Sequence, residues 1–186
     1  MTHTALLVMD YQNGVVSRFG IPSAVAAARR AVDAARAARV PVLFAGVEFR
    51  PGYPEIATSN LMFGGIPQRA AAGPADPRST EIHPDLARRD DEPLVTKVRV
   101  SAFAGSDLDY LLRAAGTRHL VLAGIATSGV VLSTLRQAAD LDLELTVLAD
   151  ACADADPEVH RVLVEKVFPQ QAAVTTVDRW AASLQD

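Results

Sequence analysis

Short apolar runs alternate along this chain with segments whose apolar positions recur at helical spacing. Each short run, bounded by polar or turn residues, fits a strand that is buried on both faces. The predicted strands are Ala5–Met9, Pro41–Val47, Leu94–Lys97, His119–Ala123, Glu144–Ala149 and Ala173–Val177. Helices are predicted over Ala24–Arg39, from Ser106 to Gly116, from Thr127 or Ser128 to about Leu141, and from Asp156-Pro157 onward.

This alternation predicts an α/β fold in one domain over residues 1–186. We expect a three-layer αβα sandwich with Rossmann-like topology, in which helices cover both faces of a six-stranded, mostly parallel sheet. The carboxyl ends of parallel strands share one edge of a sheet. Asp10, Lys97 and the turn after Gly124 all follow such ends, so they can meet in one crevice.

The segment 48–91 has a different character. It is rich in proline, contains the pair Gly64-Gly65, and shows no clear hydrophobic period. Because long loops inside a compact domain are usually functional or mobile, we interpret it as a lid or an oligomer-contact segment.

Composition narrows the function classes. Hydrophobic residues make up 49% of the chain and charged residues 22%, which is typical of a globular protein. A net charge of −4 without a basic block disfavours a nucleic-acid partner. The first apolar run is too short to span a membrane. Cys152 is the single cysteine, so no intrachain disulfide is expected; with no signal peptide recognised, the chain is expected to be cytoplasmic.

Two charged residues end predicted strands. Asp10 is either a turn residue that caps local N–H groups or a partly buried acid or base. Lys97 is either a snorkelling surface lysine or a buried one that needs a partner. An Asp10–Lys97 ion pair would account for both. It would favour the carboxylate and oppose a resting proton donor unless desolvation prevails.

The turn Gly124–Gly129 combines small side chains with several N–H groups. It could hold an anion or a developing oxyanion, or it could be simply a tight connection between strand and helix. Ser128 is an ordinary candidate for a helix N-cap and a weaker one for a nucleophile. Cys152 fits a small buried hydrophobe. The histidines have no ligand-like spacing, so neither a metal nor a cofactor is expected.

Together, several motifs resemble those of the isochorismatase-like (cysteine hydrolase) superfamily over nearly the whole chain. They are Leu6–Gln12, Thr96-Lys97 followed by Arg99 and Ser101–Phe103, Val121–Thr127, Ser133-Thr134, and Val147–Cys152. The resemblance implies a six-stranded parallel sheet, a homodimer or larger homo-oligomer, and a cis peptide between Ile125 and Ala126. It also implies a small-molecule substrate, with a pocket formed by Gln12, Ile125, Ala126, Thr127, Ser128 and Gly129.

The resemblance also assigns roles in the site. The superfamily's amidases use an Asp, Lys and Cys triad, which falls here on Asp10, Lys97 and Val130; a one-residue gap would bring Gly129 to the third position. Valine cannot attack a carbonyl. The superfamily's true isochorismatases also lack the cysteine and protonate a vinyl ether through the Asp, after which water attacks. Three hypotheses follow: a cysteine-independent hydrolase or lyase using Asp10 and Lys97, a non-catalytic member that binds a small molecule or a protein, and catalysis through Ser128.

Overall fold

A single parallel sheet forms the centre of the computed structural model, which describes residues 3–73 and 76–185. Its strands are β1 (Thr4–Met9), β2 (Val42–Val47), β3 (Leu94–Lys97), β4 (His119–Ile125), β5 (Glu144–Ala153) and β6 (Ala173–Thr175). They lie in the order β3-β2-β1-β4-β5-β6, and every neighbouring pair is parallel. The predicted six-stranded sheet is therefore confirmed.

Seven α-helices are seen in the described residues. They are α1 (Asn13–Phe19), α2 (Pro22–Ala37), α3 (Ile66–Ala71), α4 (Leu108–Ala114), α5 (Leu132–Ala139), α6 (Pro157–Val162) and α7 (Val177–Ser183). Wider π-turns precede α5 at Thr127–Val131 and follow α6 at Leu163–Val167, and short 3-10 helices occur at Pro77–Thr80, Pro84–Leu86 and Phe168–Gln170. No helix in these two ranges is long and apolar enough to cross a bilayer.

The sheet separates two hydrophobic cores, as a strand buried on both faces requires. Alternate β1 side chains point to opposite faces: Leu6 and Val8 pack in the core that includes α2 and α7. Leu7 and Met9 pack in the core that includes α4 and α5. Helices on both faces complete the predicted three layers, since each apolar face of the sheet must be covered.

The strand order reverses direction at β1, which lies between β2 and β4. Connections leave β1 and β4 toward opposite sides of the sheet, and such a switch point opens a crevice at the carboxyl ends of the strands. Gly124 allows the two strands to approach closely there. A Cβ at this position would lie 3.1 Å from Cβ of Met9 and 3.1 Å from a methyl group of Val131.

Three helices, α1, α3 and α7, were absent from the prediction. The last predicted strand was extended to Val177, yet β6 ends at Thr175 and Val177 begins α7. The first predicted helix begins at Ala24, yet α1 already begins at Asn13. The segment 48–91 was expected to lack regular structure, yet it contains α3 and two 3-10 helices. Tertiary contacts stabilise α1: the Asn13 amide donates to the carbonyl of Arg78 at 3.0 Å, and Gly14 packs against Ser79. Local helix propensity does not include contacts with such distant residues, so it could not predict this helix.

Several predicted boundaries also shift. β5 continues to Ala153, so Cys152 lies within the strand and not after it. α4 begins at Leu108 after Asp107, although the Ser106 hydroxyl still accepts a hydrogen bond from the Leu108 N–H at 3.3 Å. Trp180 on α7 is 5% exposed and packs in the core beside α2.

Candidate active site

Asp10 is the first residue after β1 and lies at the switch point of the sheet. Its backbone has a positive φ of 58°, a conformation that Asp tolerates better than most residues. Its N–H donates to the carbonyl of Ala45 on β2 at 2.8 Å, which fixes the turn. The residue is only 8% exposed, so its carboxyl group lies at the edge of the core and largely out of water.

Lys97 ends β3 and reaches Asp10 across the intervening strand β2. It is 2% exposed, and its Nζ lies 2.9 Å from Oδ2 of Asp10. The same ammonium group donates to the carbonyl of Arg99 at 3.0 Å. The interpretation of Lys97 as a snorkelling surface residue is therefore wrong, and the hypothesis of an ion pair with Asp10 describes the geometry.

The two oxygens of the Asp10 carboxyl group differ. Oδ2 contacts Lys97, whereas Oδ1 is buried and has no hydrogen-bond partner among residues 3–73 and 76–185. Burial raises the pKa of Asp10 from its ordinary value near 3.8 to about 6, although the charge and hydrogen bond of Lys97 act to lower it. Desolvation therefore prevails over the ion pair. A pKa of about 6 lies one unit below neutral pH, so both the protonated and the ionised form of Asp10 are accessible near neutrality.

The turn after β4 forms the second wall of the site. The peptide bond between Ile125 and Ala126 is cis, as the resemblance implies. The carbonyl of Ala126 accepts hydrogen bonds from the N–H of Gly129 at 3.1 Å and from that of Val131 at 3.3 Å. The N–H of Gly129 therefore has an acceptor within the turn and is not free to bind an anion.

A distant carboxylate takes the place of the predicted N-cap. Asp154, just after β5, accepts a hydrogen bond from the N–H of Ser128 at 2.7 Å. Neither Thr127 nor Ser128 caps the helix with its side chain; Ala126 is the residue before the first turn, and it forms no side-chain cap. The Thr127 hydroxyl is fully buried and shares a hydrogen bond of 2.8 Å with Nδ1 of His160.

A cavity of about 620 Å³ opens above Asp10 and Lys97. From the turn after β4 it is lined by Ile125, Ala126, Gly129 and Val130. Three predicted pocket residues are not in its lining within the described chain. Thr127 and Ser128 have the partners given above. The Gln12 side chain donates hydrogen bonds to the carbonyl of Val47 on β2 and to that of Thr80 in the segment 48–91. It also accepts a hydrogen bond from the Val47 N–H at 2.9 Å.

Residues from two elements that the sequence did not reveal complete the cavity. α1 contributes Arg18 and Phe19, and the segment 62–69 contributes Met62, Phe63 and Arg69. Part of the 48–91 segment therefore covers the crevice, in the position expected of a lid. Met62 and Phe63 were an available signal, because Leu61-Met62-Phe63 is a run of three large apolar residues within this proline-rich segment. No comparable signal pointed to Arg18.

Thiol and hydroxyl nucleophiles are poorly placed for this cavity. Val130 contributes an apolar surface beside Asp10. Cys152 is 4% exposed in the core, and burial raises the pKa of its thiol to about 12. Ser128 is not in the lining of the cavity within the described chain, and its N–H donates to Asp154. In the described chain, no group of three or more His, Cys, Asp or Glu residues is arranged to hold a metal ion.

Comparison with known proteins identifies the family. The family model for the isochorismatase domain matches residues 4–179. Ureidoacrylate amidohydrolase RutB of Stutzerimonas stutzeri is 34% identical over 208 aligned positions, which cover 98% of this chain and 80% of that protein. Phenazine biosynthesis protein PhzD1 of Pseudomonas aeruginosa is 41% identical over 105 positions, covering 56% of this chain and 50% of that protein.

A solved structure extends the likeness to three dimensions. The structure of an isochorismatase family protein from Burkholderia thailandensis superimposes with a TM-score of 0.86 at 27% identity, covering 99% of this chain and 96% of that chain. The family model and the RutB relative span nearly the whole chain, and the sheet and its helices agree with the solved relative. The chain therefore belongs to the isochorismatase family of hydrolases.

Proposed function

We propose that this protein hydrolyses a small vinyl ether by acid catalysis and forms no covalent intermediate. The observation that carries the proposal is the Asp10 carboxyl group. Its Oδ2 is held by Lys97 at 2.9 Å, its Oδ1 is unpartnered within the described residues, and its pKa is raised to about 6. A general acid works best when its pKa lies near the working pH, and this environment supplies that match.

The chemistry follows from the difference between the two oxygens. Lys97 occupies Oδ2, whereas Oδ1 has no partner in the described chain, so Oδ1 can hold the proton of the neutral acid. Asp10 would donate this proton to the terminal carbon of the vinyl ether and leave an oxocarbenium ion, which the new carboxylate stabilises. Water then adds to the cationic carbon and loses a proton, which regenerates the acid. The resulting hemiketal breaks its C–O bond and releases an alcohol and a carbonyl compound.

Val130 argues against the amide hydrolysis that the name of the RutB relative indicates for that protein. In the register of the resemblance, Val130 takes the position of the amidases' cysteine, and it lines the cavity together with Asp10 and Lys97. A valine side chain has no atom that can form an acyl intermediate. Neither Ser128 nor Cys152 lines the cavity in the described chain, so neither is a ready substitute. Water is therefore the nucleophile in this proposal.

The direct test uses isochorismate as the trial vinyl ether, with ureidoacrylate as the trial amide. We expect the wild type to convert isochorismate and to leave ureidoacrylate intact, with products followed by chromatography. Asp10→Asn should lower kcat/KM by about 100-fold or more, the usual contribution of a positioned general acid. Asp140→Asn changes an exposed carboxylate at the end of α5 and serves as the matched control.

The outcomes separate this proposal from its rival, a non-catalytic member that binds a small molecule or a protein. Turnover that survives in Asp10→Asn would contradict the acid role. Binding of isochorismate without turnover by the wild type, weakened in Asp10→Asn, would favour the binding protein. The absence of a nucleophilic side chain at Val130 is the observation that keeps this rival in consideration.

A further inference from the structure

The cavity above Asp10 carries a charge opposite to that of the whole chain. Its lining contains three cationic side chains, Arg18, Arg69 and Lys97, and one carboxyl group, Asp10. The chain as a whole has a net charge of −4. When Asp10 is ionised it offsets Lys97, so the two arginines remain as excess positive charge. A cleft lined by one sign of charge concentrates ligands of the opposite sign.

The two arginines also lack intramolecular acceptors. Among residues 3–73 and 76–185, the guanidinium groups of Arg18 and Arg69 form no hydrogen bond or ion pair, although several other arginines do. Arg36, for example, binds Glu92 at 2.8 Å. Guanidinium groups present several donors in a planar arrangement that suits carboxylate and phosphate oxygens. Arg18 and Arg69 therefore leave such donors available at the cavity.

Both arginines come from short helices that border the crevice, and the position of Arg69 has a structural cause. Arg18 lies in the last turn of α1 and Arg69 in the last turn of α3. A Cβ at Gly65 would lie 2.8 Å from Nη1 of Arg69, so the guanidinium group packs directly against this glycine in the structure. The cavity walls between the charges are apolar and include Phe19, Met62 and Phe63.

We propose that the site takes an organic anion with an apolar body, whose carboxylate or phosphate group is bound by Arg18 and Arg69. The apolar body lies against Phe19 and Phe63. The assignment of the reacting end to Asp10 rests on the function proposed above, whereas the anion-binding role of the two arginines does not. Arg18 and Arg69 are thus the residues that set which substrates enter the cavity.

Binding of simple probes tests this without turnover. Benzoate, phenyl phosphate and benzamide share an aromatic body and differ in charge, and their affinities can be measured by ligand-observed NMR titration. We expect the wild type to bind at least one of the two anions about tenfold more tightly than benzamide. Preference between benzoate and phenyl phosphate identifies the carboxylate or the phosphate as the group recognised.

Variants locate the effect. Arg18→Ala and Arg69→Ala should each weaken binding of the preferred anion about three- to tenfold and leave benzamide nearly unchanged, because only the charged donor is lost. Arg179→Ala removes an exposed arginine on α7, away from the cavity, and is the matched control. Gly65→Ala should reproduce part of the Arg69→Ala effect by displacing its guanidinium group.

Two results would overturn the proposal. One is equal affinity of the wild type for benzamide and for both anions. The other is an equal loss of anion binding in Arg179→Ala and in the two cavity variants, which would indicate general attraction to a charged surface. The two proposals fail separately. Turnover that persists in Asp10→Asn would refute the acid mechanism, whereas anion selectivity measured with the probes would still support the arginine site.

Discussion

Lys97 and Asp10 are joined at 2.9 Å between Nζ and Oδ2, although they come from strands that are not neighbours in the sheet. The contact is possible because β1 and β3 flank β2 and all three end at the same edge. It holds one oxygen of the carboxyl group and leaves the other buried without a partner in the described chain. The unpartnered oxygen can therefore hold the proton of the neutral acid.

The activity should follow the protonation of Asp10. Because a proton donor must be protonated before the reaction, kcat/KM for a vinyl ether should be level below the pKa of Asp10, about 6, and fall tenfold per pH unit above it. Lys97→Met removes the charge and the hydrogen bond that lower this pKa, so the descending limb should move to higher pH. The pH dependence of kcat/KM measures both effects.

Lys166→Met provides the control for this shift, because it removes an exposed lysine after α6. Its profile should match that of the wild type. The pKa of Asp10 can also be read directly from the carboxyl carbon resonance in an NMR titration. A Lys97→Met profile that moves to lower pH would show that Lys97 does not stabilise the carboxylate.

Val130→Cys should place a thiol on the cavity beside Asp10 and Lys97. We expect iodoacetamide to modify residue 130, which lines the cavity, and to spare Cys152, which is not in that lining within the described chain and whose thiol has a pKa of about 12. The neighbouring cation should favour the thiolate, and slow release of ammonia from ureidoacrylate or other small amides is the expected gain of function. Mass spectrometry of the alkylated protein locates the reactive thiol.

Val131→Cys is the matched variant, since Val131 is fully buried and packs in the core beside α5. Its thiol should react much more slowly than the one introduced at position 130. Equal alkylation of the two variants would show that Val130 does not face an accessible cavity.

Asp154→Ala should destabilise the turn that carries Ala126 and Val130. The Asp154 carboxylate accepts from the Ser128 N–H at 2.7 Å, in the manner of a helix cap supplied from another element. Loss of such a cap lowers the free energy of unfolding by about 1 kcal/mol, and urea denaturation can resolve this difference. Asp107→Ala changes the residue before α4, which forms no side-chain cap, and should leave stability nearly unchanged.

The stabilities of the same two variants could contradict a specific role for the Asp154–Ser128 hydrogen bond. If Asp107→Ala were as destabilising as Asp154→Ala, the effect would come from loss of negative charge at helix N-termini in general. The specific hydrogen bond to Ser128 would then contribute little.

The prediction of the sheet succeeded because apolar runs report burial directly. β1, with Leu7 and Val8 on opposite faces, must be covered on both sides, and that requirement alone implies helices in two layers. The prediction failed where structure depends on distant contacts. α1 is held by Arg78 and Ser79, which lie far along the chain and leave no periodic signal in residues 13–19.

For the residues of the site, too, prediction succeeded where burial and charge are informative and failed where distant contacts decide. Asp10 and Lys97 could be singled out because a charged residue at the end of a buried strand needs a partner. Gln12, Thr127 and Ser128 were placed in the pocket by resemblance, and the structure gives each of them another bonding partner. Hydrogen-bond partners are chosen by the packed structure, so a motif cannot show which of its polar groups remain available to a ligand.

By itself, the sequence determined the α/β class and the six strands, because apolar runs report burial locally. It offered the pairing of Asp10 with Lys97 only as one of two interpretations, and the tertiary structure decided between them. Only the tertiary structure decided the raised pKa of Asp10 and the excess positive charge that Arg18 and Arg69 bring to the cavity. Both depend on how much water remains around a group and on which elements fold over it. Those quantities are set when the whole chain packs.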